Sequence, residues 1–293
     1  MNYIEPKPLT KGDTIEFIAP AGPIRDKDAI KRARLYFEKQ GFNVKYSKHL
    51  FNQYNYLSDN DDNRLEDLHN AFLDKDVDAI ICGRGGYGCL RLIDKIDYNI
   101  IKNNPKLFCG YSDITVLSAM FLKRANLITY SGPMAKGDFG SENQSDYTIT
   151  NFYKTVTKID CSYSAEKVYN SGDADGILFG GNLASIVSLC GIDFIPDEKF
   201  IFFAEDLNEP TYKLDKMFTQ LFNIEKFRKN ITGIILGDFL DCGYPEQFDE
   251  FINDIAEQNN LPAYGGFKIT HEHDKITVPY GKTANMANGN LIF

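Results

Sequence analysis

The stretch FCGYSDIT at residues 108–115 marks the place where the chain passes from a strand pattern to a helix pattern. The apolar run ends at Ser112, and residues with helical spacing follow at once. At such a turn a serine hydroxyl projects from the carboxyl edge of a sheet, and the first free N–H groups of the helix favour negative charge beside it. A projecting hydroxyl and nearby free N–H groups are what a serine nucleophile and its oxyanion require. Serine is also a preferred helix N-cap, so the pattern equally fits a structural Ser112.

Strand and helix patterns alternate on both sides of this turn. In the first half, the strand-like runs are residues 14–20, 43–48, 79–82, 107–111 and 127–130, and the helical patterns are residues 26–40, 61–74 and 113–125. An alternating series predicts an α/β fold with a mostly parallel sheet and helices on both of its faces.

The alternation is lost between residues 135 and 175, where Gly, Ser, Asn and Asp are frequent. Beyond this stretch, the strand-like runs are residues 176–179, 200–204, 233–237 and 276–279, and the helical patterns are residues 183–189, 212–222 and 245–258. We therefore predict an N-terminal α/β domain over residues 1–160, which carries Ser112, and a smaller mixed α/β domain over residues 161–293.

Composition narrows the possible functions. The formal charge of −9 and the lack of a basic cluster argue against nucleic acid as a partner. No apolar run reaches the roughly 18 residues that a membrane span needs, and the start lacks the apolar core of a signal peptide, so we expect a soluble, cytoplasmic protein. The six cysteines are widely spaced without a C-x-x-C pair, which favours buried free thiols over zinc or redox chemistry, and no metal or cofactor is predicted.

The glycine loop GRGGYG at residues 83–88 has two interpretations. Its spacing matches a dinucleotide fingerprint, but it follows the third predicted strand rather than the first, and the next strand does not end in an acid. Alternatively, glycines let backbone N–H groups approach a reacting carbonyl, and loops at the carboxyl ends of neighbouring strands share one crevice. Gly85 or Gly86 then supplies a second oxyanion donor beside the N–H of Asp113.

A serine nucleophile needs a base, and the chain has four histidines. His69 lies on a charged helix and His49 just after a strand, where surface or packing roles are expected. His271 and His273 flank Glu272 in a polar turn, and catalytic residues concentrate in loops, although two solvated histidines would fit the same pattern.

An orienting carboxylate is the third requirement. The apolar run FIFFA at residues 200–204 ends directly in Glu205 and Asp206, where a carboxylate is well placed to be partly buried and to hold an imidazole. Acids at strand ends are also common turn or cap residues. Glu209 precedes Pro210 at a predicted helix start, where an acid has an ordinary capping explanation.

Together these motifs resemble the LD-carboxypeptidases, over nearly the whole chain. The matching segments are GRGGYG at 83–88, GYSDIT at 110–115, GPM at 132–134, GGNL at 180–183, Glu205-Asp206 and the turn at 271–281. The resemblance implies a metal-independent serine peptidase with the triad Ser112, Glu205 and His271. It also implies an oxyanion hole from Asp113 and Gly85 or Gly86, a Rossmann-like N-terminal domain with a smaller C-terminal one, and a homodimer.

One position departs from the family pattern. The family usually has glycine before the catalytic histidine, whereas this chain has Thr270 there and a second histidine, His273, soon after. His271 stands ten residues before Gly281, in register with the family's turn. Whether His273 assists or replaces His271 stays open.

The resemblance further implies release of terminal D-alanine from muropeptide tetrapeptides in the cytoplasm. A sister group instead cleaves a peptidyl-nucleotide antibiotic, often with a Trp-containing clamp, and this chain has no Trp. A non-catalytic peptide-binding module is the third possibility, and the retained triad residue types argue against it. Arg84, in the glycine loop, is the candidate for binding the substrate's terminal carboxylate, with an ion pair to a structural acid as its other interpretation.

Overall fold

A computed structural model describes residues 3–293. Its strands are β1 (Thr14–Ile18), β2 (Asn43–Tyr46), β3 (Ala79–Cys82), β4 (Leu107–Cys109), β5 (Thr129–Ser131), β6 (Ser162–Ser164), β7 (Lys167–Asn170), β8 (Ala174–Asn182), β9 (Phe200–Leu207), β10 (Ile231–Leu240), β11 (Ala263–Gly265), β12 (Val278–Tyr280), β13 (Thr283–Ala287) and β14 (Asn290–Ile292). Its α-helices are α1 (Lys27–Lys39), α2 (Asp61–Leu73), α3 (Tyr98–Asn103), α4 (Thr115–Met120), α5 (Asp146–Val156), α6 (Leu183–Val187), α7 (Thr211–Phe222), α8 (Glu225–Asn230) and α9 (Pro245–Gln258).

The first sheet has the order β12-β5-β4-β3-β1-β2, and its pairs are parallel except for β12 with β5. Alternate residues of β3 enter different apolar clusters. Ile80 packs in the cluster that contains Phe72 of α2, and Ile81 packs in the cluster that contains Phe37 of α1. A parallel sheet covered on both faces needs strands with apolar residues on both sides. The predicted α/β fold is therefore confirmed.

The second sheet is mixed, with the order β6-β14-β13-β8-β9-β10-β11-β7. Its centre, β8 to β11, is parallel, and its outer strands pair antiparallel. A single apolar cluster joins this sheet to the first one, with Phe108 of β4 and Phe202 of β9 among its members.

The end of the chain returns to the first sheet. In β12, Val278 and Tyr280 pair with Ser131 and Thr129 of β5, although β12 lies beyond residue 160. The division at 160/161 stays a prediction.

The polar stretch between residues 135 and 175 contains more structure than its composition indicated. Helix α5 lies there, capped by Ser145, whose Oγ accepts a hydrogen bond from Thr148 N. Its buried face carries polar Thr148, Asn151 and Thr155 beside Phe152, so the apolar periodicity is weak. The helix expected at 113–125 is divided into a 3₁₀ turn at Ser112–Ile114, α4 and a π turn at Phe121–Ala125.

Two other expectations concern the whole chain. All six cysteines are free, five of them buried and Cys190 partly exposed. Within residues 3–293, no helix is long and apolar enough to cross a bilayer.

Candidate active site

Ser112 occupies a strained turn at the carboxyl end of β4. Its backbone has φ +62°, in the left-handed region that non-glycine residues rarely adopt and that costs about 1–3 kcal/mol. The residue at the cap position of the following 3₁₀ turn is Tyr111, and no side chain caps that turn. The N-cap interpretation of Ser112 is therefore wrong, and the sharp strand-to-helix turn is the kind that presents a nucleophile.

The glycine loop packs directly against this serine. A β-carbon added to Gly85 would lie 2.8 Å from Ser112 Cβ and 3.0 Å from its Oγ, so a side chain at position 85 does not fit. The Gly85 carbonyl accepts a hydrogen bond from Gly22 N at 3.1 Å, which fixes the loop to the turn after β1. In the described chain, the N–H groups of Gly85 and Gly86 have no hydrogen-bond partner and are available to a ligand.

Replacing Gly85 with alanine should lower kcat by about 10²-fold or more, because the new β-carbon displaces the Ser112 hydroxyl and oxyanion donors act only at the correct position. Steady-state hydrolysis of the muropeptide tetrapeptide that the resemblance implies measures this effect. Gly12→Ala is the control: a β-carbon there would meet nothing within 4 Å, although Gly12, unlike Gly85, has positive φ, so its replacement strains the backbone without a steric contact. It precedes β1, at the opposite edge of the sheet. Equal activity losses in both variants would contradict a steric effect on Ser112.

Asp113 has its side chain directed away from the reacting position. Its Oδ2 accepts a hydrogen bond from Cys89 N at 2.9 Å, and burial raises the pKa of this carboxyl. The carboxylate therefore ties the end of the glycine loop to the serine turn. The oxyanion role predicted for Asp113 belongs to its backbone N–H and stays a prediction.

Glu205 and His271 form a close pair. Glu205 lies near the end of β9 with a side chain 4% exposed, and its Oε2 lies 2.7 Å from His271 Nδ1. A carboxylate at Nδ1 favours the tautomer in which Nδ1–H donates and Nε2 can accept a proton. The pair thus has the geometry of a base and its orienting acid.

The path of the chain before His271 explains how residues 66 positions apart meet. Strand β10 has an irregularity between Leu236 and Phe239, where Asp238 N donates to Ile269 O at 3.0 Å. The segment before His271 therefore runs beside the strand that neighbours β9. The Thr270 hydroxyl then accepts a hydrogen bond from Glu272 N at 2.9 Å, which supports the turn in place of the family's glycine.

The serine turn lies against the Glu205–His271 pair. The Tyr111 ring contacts the His271 ring edge-to-face, with 5.0 Å between centroids. Thr115 Oγ1, one helical turn after Ser112, accepts a hydrogen bond from Asn182 N, and Asn182 is in register with Glu205. Within residues 3–293 the Ser112 hydroxyl makes no hydrogen bond to the imidazole, as is frequent in catalytic pairs before substrate binds.

Two cavities open on this crevice. The cavity on the imidazole side measures about 310 Å³, and its walls include Tyr111, Asp138, Ser145, His271, Glu272 and Lys275. The cavity on the serine side measures about 290 Å³, and its walls include Gly86, Tyr87, Ser112, Asp113, Asn182 and Asp206. The crevice therefore has open space on both its imidazole side and its serine side.

The other candidate residues from the sequence are not part of the Glu205–His271 pair. His273 is exposed, and its carbonyl accepts a hydrogen bond from the Thr148 hydroxyl. Glu209 forms an ion pair with Lys213 at 2.7 Å. Arg84 donates to Pro23 O at 3.3 Å and pairs with no acid in the described chain, which removes the structural ion-pair interpretation but leaves its substrate role a prediction.

Sequence reasoning gave no role to two buried acids and a lysine near the crevice. Asp206 accepts hydrogen bonds from Asn182 Nδ2 and Ala184 N, both at 2.9 Å, and burial raises its pKa to about 6. Asp138 and Lys275 form a buried ion pair. Lys275 could have been noticed in the sequence because it lies four residues after His271. Asp138 lies in the stretch 135–175, which has no clear periodicity.

The raised pKa of Asp206 predicts a pH effect on stability. The folded protein keeps this proton up to about pH 6, whereas the unfolded chain loses it near the ordinary value of 3.8, so the contribution of Asp206 to the free energy of unfolding falls as pH rises between these values. The full change is about 3 kcal/mol. Urea unfolding at pH 4.5 and 7 should show a smaller pH dependence in Asp206→Asn. The exposed Asp62→Asn should keep the wild-type dependence; an unchanged dependence in Asp206→Asn would contradict the assignment.

A serine on a strained strand-to-helix turn, facing a crevice with a carboxylate–imidazole pair, defines the site of a hydrolase. Residues 15–132 match the model of the LD-carboxypeptidase N-terminal domain, and residues 175–286 match that of the LD-carboxypeptidase C-terminal domain. The chain belongs to the LD-carboxypeptidase family. This result confirms the resemblance seen in the sequence. It gives no support to the interpretation of the glycine loop as a dinucleotide site.

Three similar proteins illustrate the family. The chain is 36% identical to a probable murein peptide carboxypeptidase of Bacillus subtilis, over 98% of this chain and 92% of that protein. It is 26% identical to the microcin C7 self-immunity protein of Escherichia coli, over 94% of this chain and 90% of that one. The crystal structure of muramoyltetrapeptide carboxypeptidase from Oxalobacter formigenes superposes with a TM-score of 0.87 at 28% identity, covering 95% of this chain and 97% of that one.

Proposed function

We propose that this protein is a metal-independent serine carboxypeptidase that hydrolyses the L,D-amide bond of muropeptide tetrapeptides and releases terminal D-alanine. The observation that carries the proposal is the hydrogen bond between Glu205 and His271 in the crevice that also holds Ser112. The names of the B. subtilis and O. formigenes relatives support the substrate class.

In the first half of the proposed reaction, Ser112 Oγ attacks the scissile carbonyl while His271 Nε2 takes its proton. Glu205, at Nδ1, keeps the imidazole in the required tautomer and stabilises it when it becomes charged. The C–N bond then breaks, His271 gives the proton to the leaving amine of D-alanine, and an acyl-enzyme remains on Ser112.

In the second half, water attacks the acyl-enzyme, His271 takes a proton from it, and Ser112 regains its hydrogen as the shortened peptide leaves. In each half, the N–H groups of Asp113 and of Gly85 or Gly86 donate hydrogen bonds to the oxyanion. Removing one such donor typically costs about 10²–10³ in kcat.

The test of this function is incubation of the purified protein with a muramyl tetrapeptide and measurement of free D-alanine. A peptidyl-nucleotide antibiotic of the microcin C type is offered in parallel, because the chain is also similar to the E. coli self-immunity protein. Cleavage of only the second compound would assign the immunity role, and binding of the tetrapeptide without cleavage would assign a binding module.

Arg84 is proposed to bind the free carboxylate of the substrate's last residue, since the residue is half-buried in the glycine loop and has no acid partner in the described chain. Amidating that carboxylate should lower kcat/KM of the wild type about 10–100-fold, and of Arg84→Ala far less. Arg34→Ala, which removes a surface ion pair on α1, is the matched control and should respond like the wild type. Equal penalties in wild type and Arg84→Ala would reject the role.

We also propose that the enzyme acts in the cytoplasm as a homodimer, as its family resemblance implies. Cell fractionation tests the location. Light scattering coupled to gel filtration tests the assembly, and a mass near the 33.2 kDa of one chain would contradict it.

A further inference from the structure

Lys275 is a buried lysine in the wall of the proposed active site. Its ammonium group pairs with the Asp138 carboxylate, and the two side chains are only 4% and 8% exposed. Withdrawing two charges from water costs several kcal/mol for each ion, and an apolar pair of similar volume often stabilises a fold as well or better. A contribution to stability therefore does not account for this pair.

Hydrogen bonds fix the Asp138 carboxylate and the backbone of Lys275. Asp138 Oδ2 accepts a hydrogen bond from Met134 N at 2.7 Å, and Lys275 N donates to Thr148 Oγ1 at 2.9 Å. The ammonium therefore pairs with a carboxylate that is itself fixed, which limits the range of an ordinarily flexible lysine side chain.

That position lies beside the aromatic ring that contacts the imidazole. Lys275 Nζ lies 5.1 Å from the centroid of the Tyr111 ring, within the range of a cation–π interaction. The Tyr111 ring in turn meets the His271 ring edge-to-face. Fixing Tyr111 therefore limits the tilt of the imidazole.

Lys275 also lines the same small cavity as the buried Glu205 side chain. Glu205 Oε1 is fully buried and has no hydrogen-bond partner in the part of the chain that the structure describes. A small cavity of about 10 Å³ has walls formed by Glu205, Ser131, Thr270 and Lys275, and Lys275 is the only cation among its described lining residues. An unpartnered buried oxygen costs about 1–3 kcal/mol or more when charged, and a nearby opposite charge offsets this cost.

We propose that Lys275 is a positioning residue for the Glu205–His271 pair. Its ammonium, held by Asp138, balances the buried Glu205 carboxylate and fixes the Tyr111 ring against the imidazole. In this role it acts through Glu205 and Tyr111 rather than on the substrate or the reacting atoms. This inference rests on the serine mechanism proposed above.

The test uses Lys275→Met and the double variant Lys275→Met/Asp138→Asn. The double variant removes the ammonium without leaving Asp138 as an unpaired buried acid, so it should keep a higher Tm than Lys275→Met. Both variants should lower kcat on the tetrapeptide about 10–100-fold with KM changed less than about threefold, because misplacement by about 1 Å can cost 10²-fold in rate. The rate at which a fluorophosphonate labels Ser112 should fall in parallel.

Lys106→Met is the matched control. Lys106 is another buried lysine, which donates to Ala71 O at 2.8 Å, and it precedes β4 at the edge of the sheet opposite the site. Its loss should lower Tm and leave kcat and the labelling rate unchanged. A double variant at Lys275 and Asp138 with wild-type kcat and labelling rate would overturn the positioning role.

The outcomes also separate this inference from the proposed function. Labelling of Ser112 without tetrapeptide hydrolysis would refute the substrate, and the labelling rates would still decide the role of Lys275. A wild-type protein that neither cleaves the tetrapeptide nor reacts at Ser112 would refute the serine mechanism and the positioning role together.

Discussion

Replacing Ser112 with alanine should lower kcat about 10³-fold or more while the fold and substrate binding are kept. The hydroxyl is the proposed nucleophile, and a triad acts as a unit, so the remaining rate comes from the oxyanion hole and binding alone. Alanine has the same backbone preferences as serine at φ +62° to a first approximation, so the turn should persist. Steady-state kinetics, calorimetric binding of the tetrapeptide and circular dichroism measure the three properties.

Ser118→Ala is the matched control for Ser112→Ala. Ser118 lies on α4, six residues after Ser112, and its buried hydroxyl has no hydrogen-bond partner in the described chain. Removing that hydroxyl should leave kcat unchanged and should not destabilise the protein. A fully active Ser112→Ala enzyme would refute the serine mechanism.

His271→Ala and Glu205→Gln should each lower kcat by about 10²–10⁴-fold, since one removes the base and the other weakens the group that orients it. Glutamine keeps the shape of the buried Glu205 side chain, so loss of activity is not confounded with loss of packing. Hydrolysis of the tetrapeptide measures the effect. Unfolding curves of both variants confirm that the folded state is intact.

His273→Ala and Glu209→Ala are the matched controls for this second prediction. His273 is exposed, and Glu209 pairs with Lys213 rather than with a histidine, so each variant should keep activity within about threefold. Large losses in these two variants, with small losses in His271→Ala and Glu205→Gln, would show that the base and its partner are the other members of each pair.

The sequence alone predicted the elements whose residues repeat with a local period. The buried strands around β3 and the amphipathic α1 follow from such periods, and so does the turn at Ser112. It also placed Glu205 at the end of an apolar strand. These features depend on interactions between residues a few positions apart. A pattern of apolar and polar residues reports interactions over the same short distance along the chain.

Only the tertiary structure decided which distant groups meet. The choice of His271 over His273 as the partner of Glu205 depends on the path beside β10, and the ion pair between Asp138 and Lys275 joins residues 137 positions apart. The return of β12 to the first sheet likewise brings together two segments about 150 residues apart. Such pairings result from packing between whole elements, and a single sequence carries no local signal for them because the same short patterns are compatible with many partners.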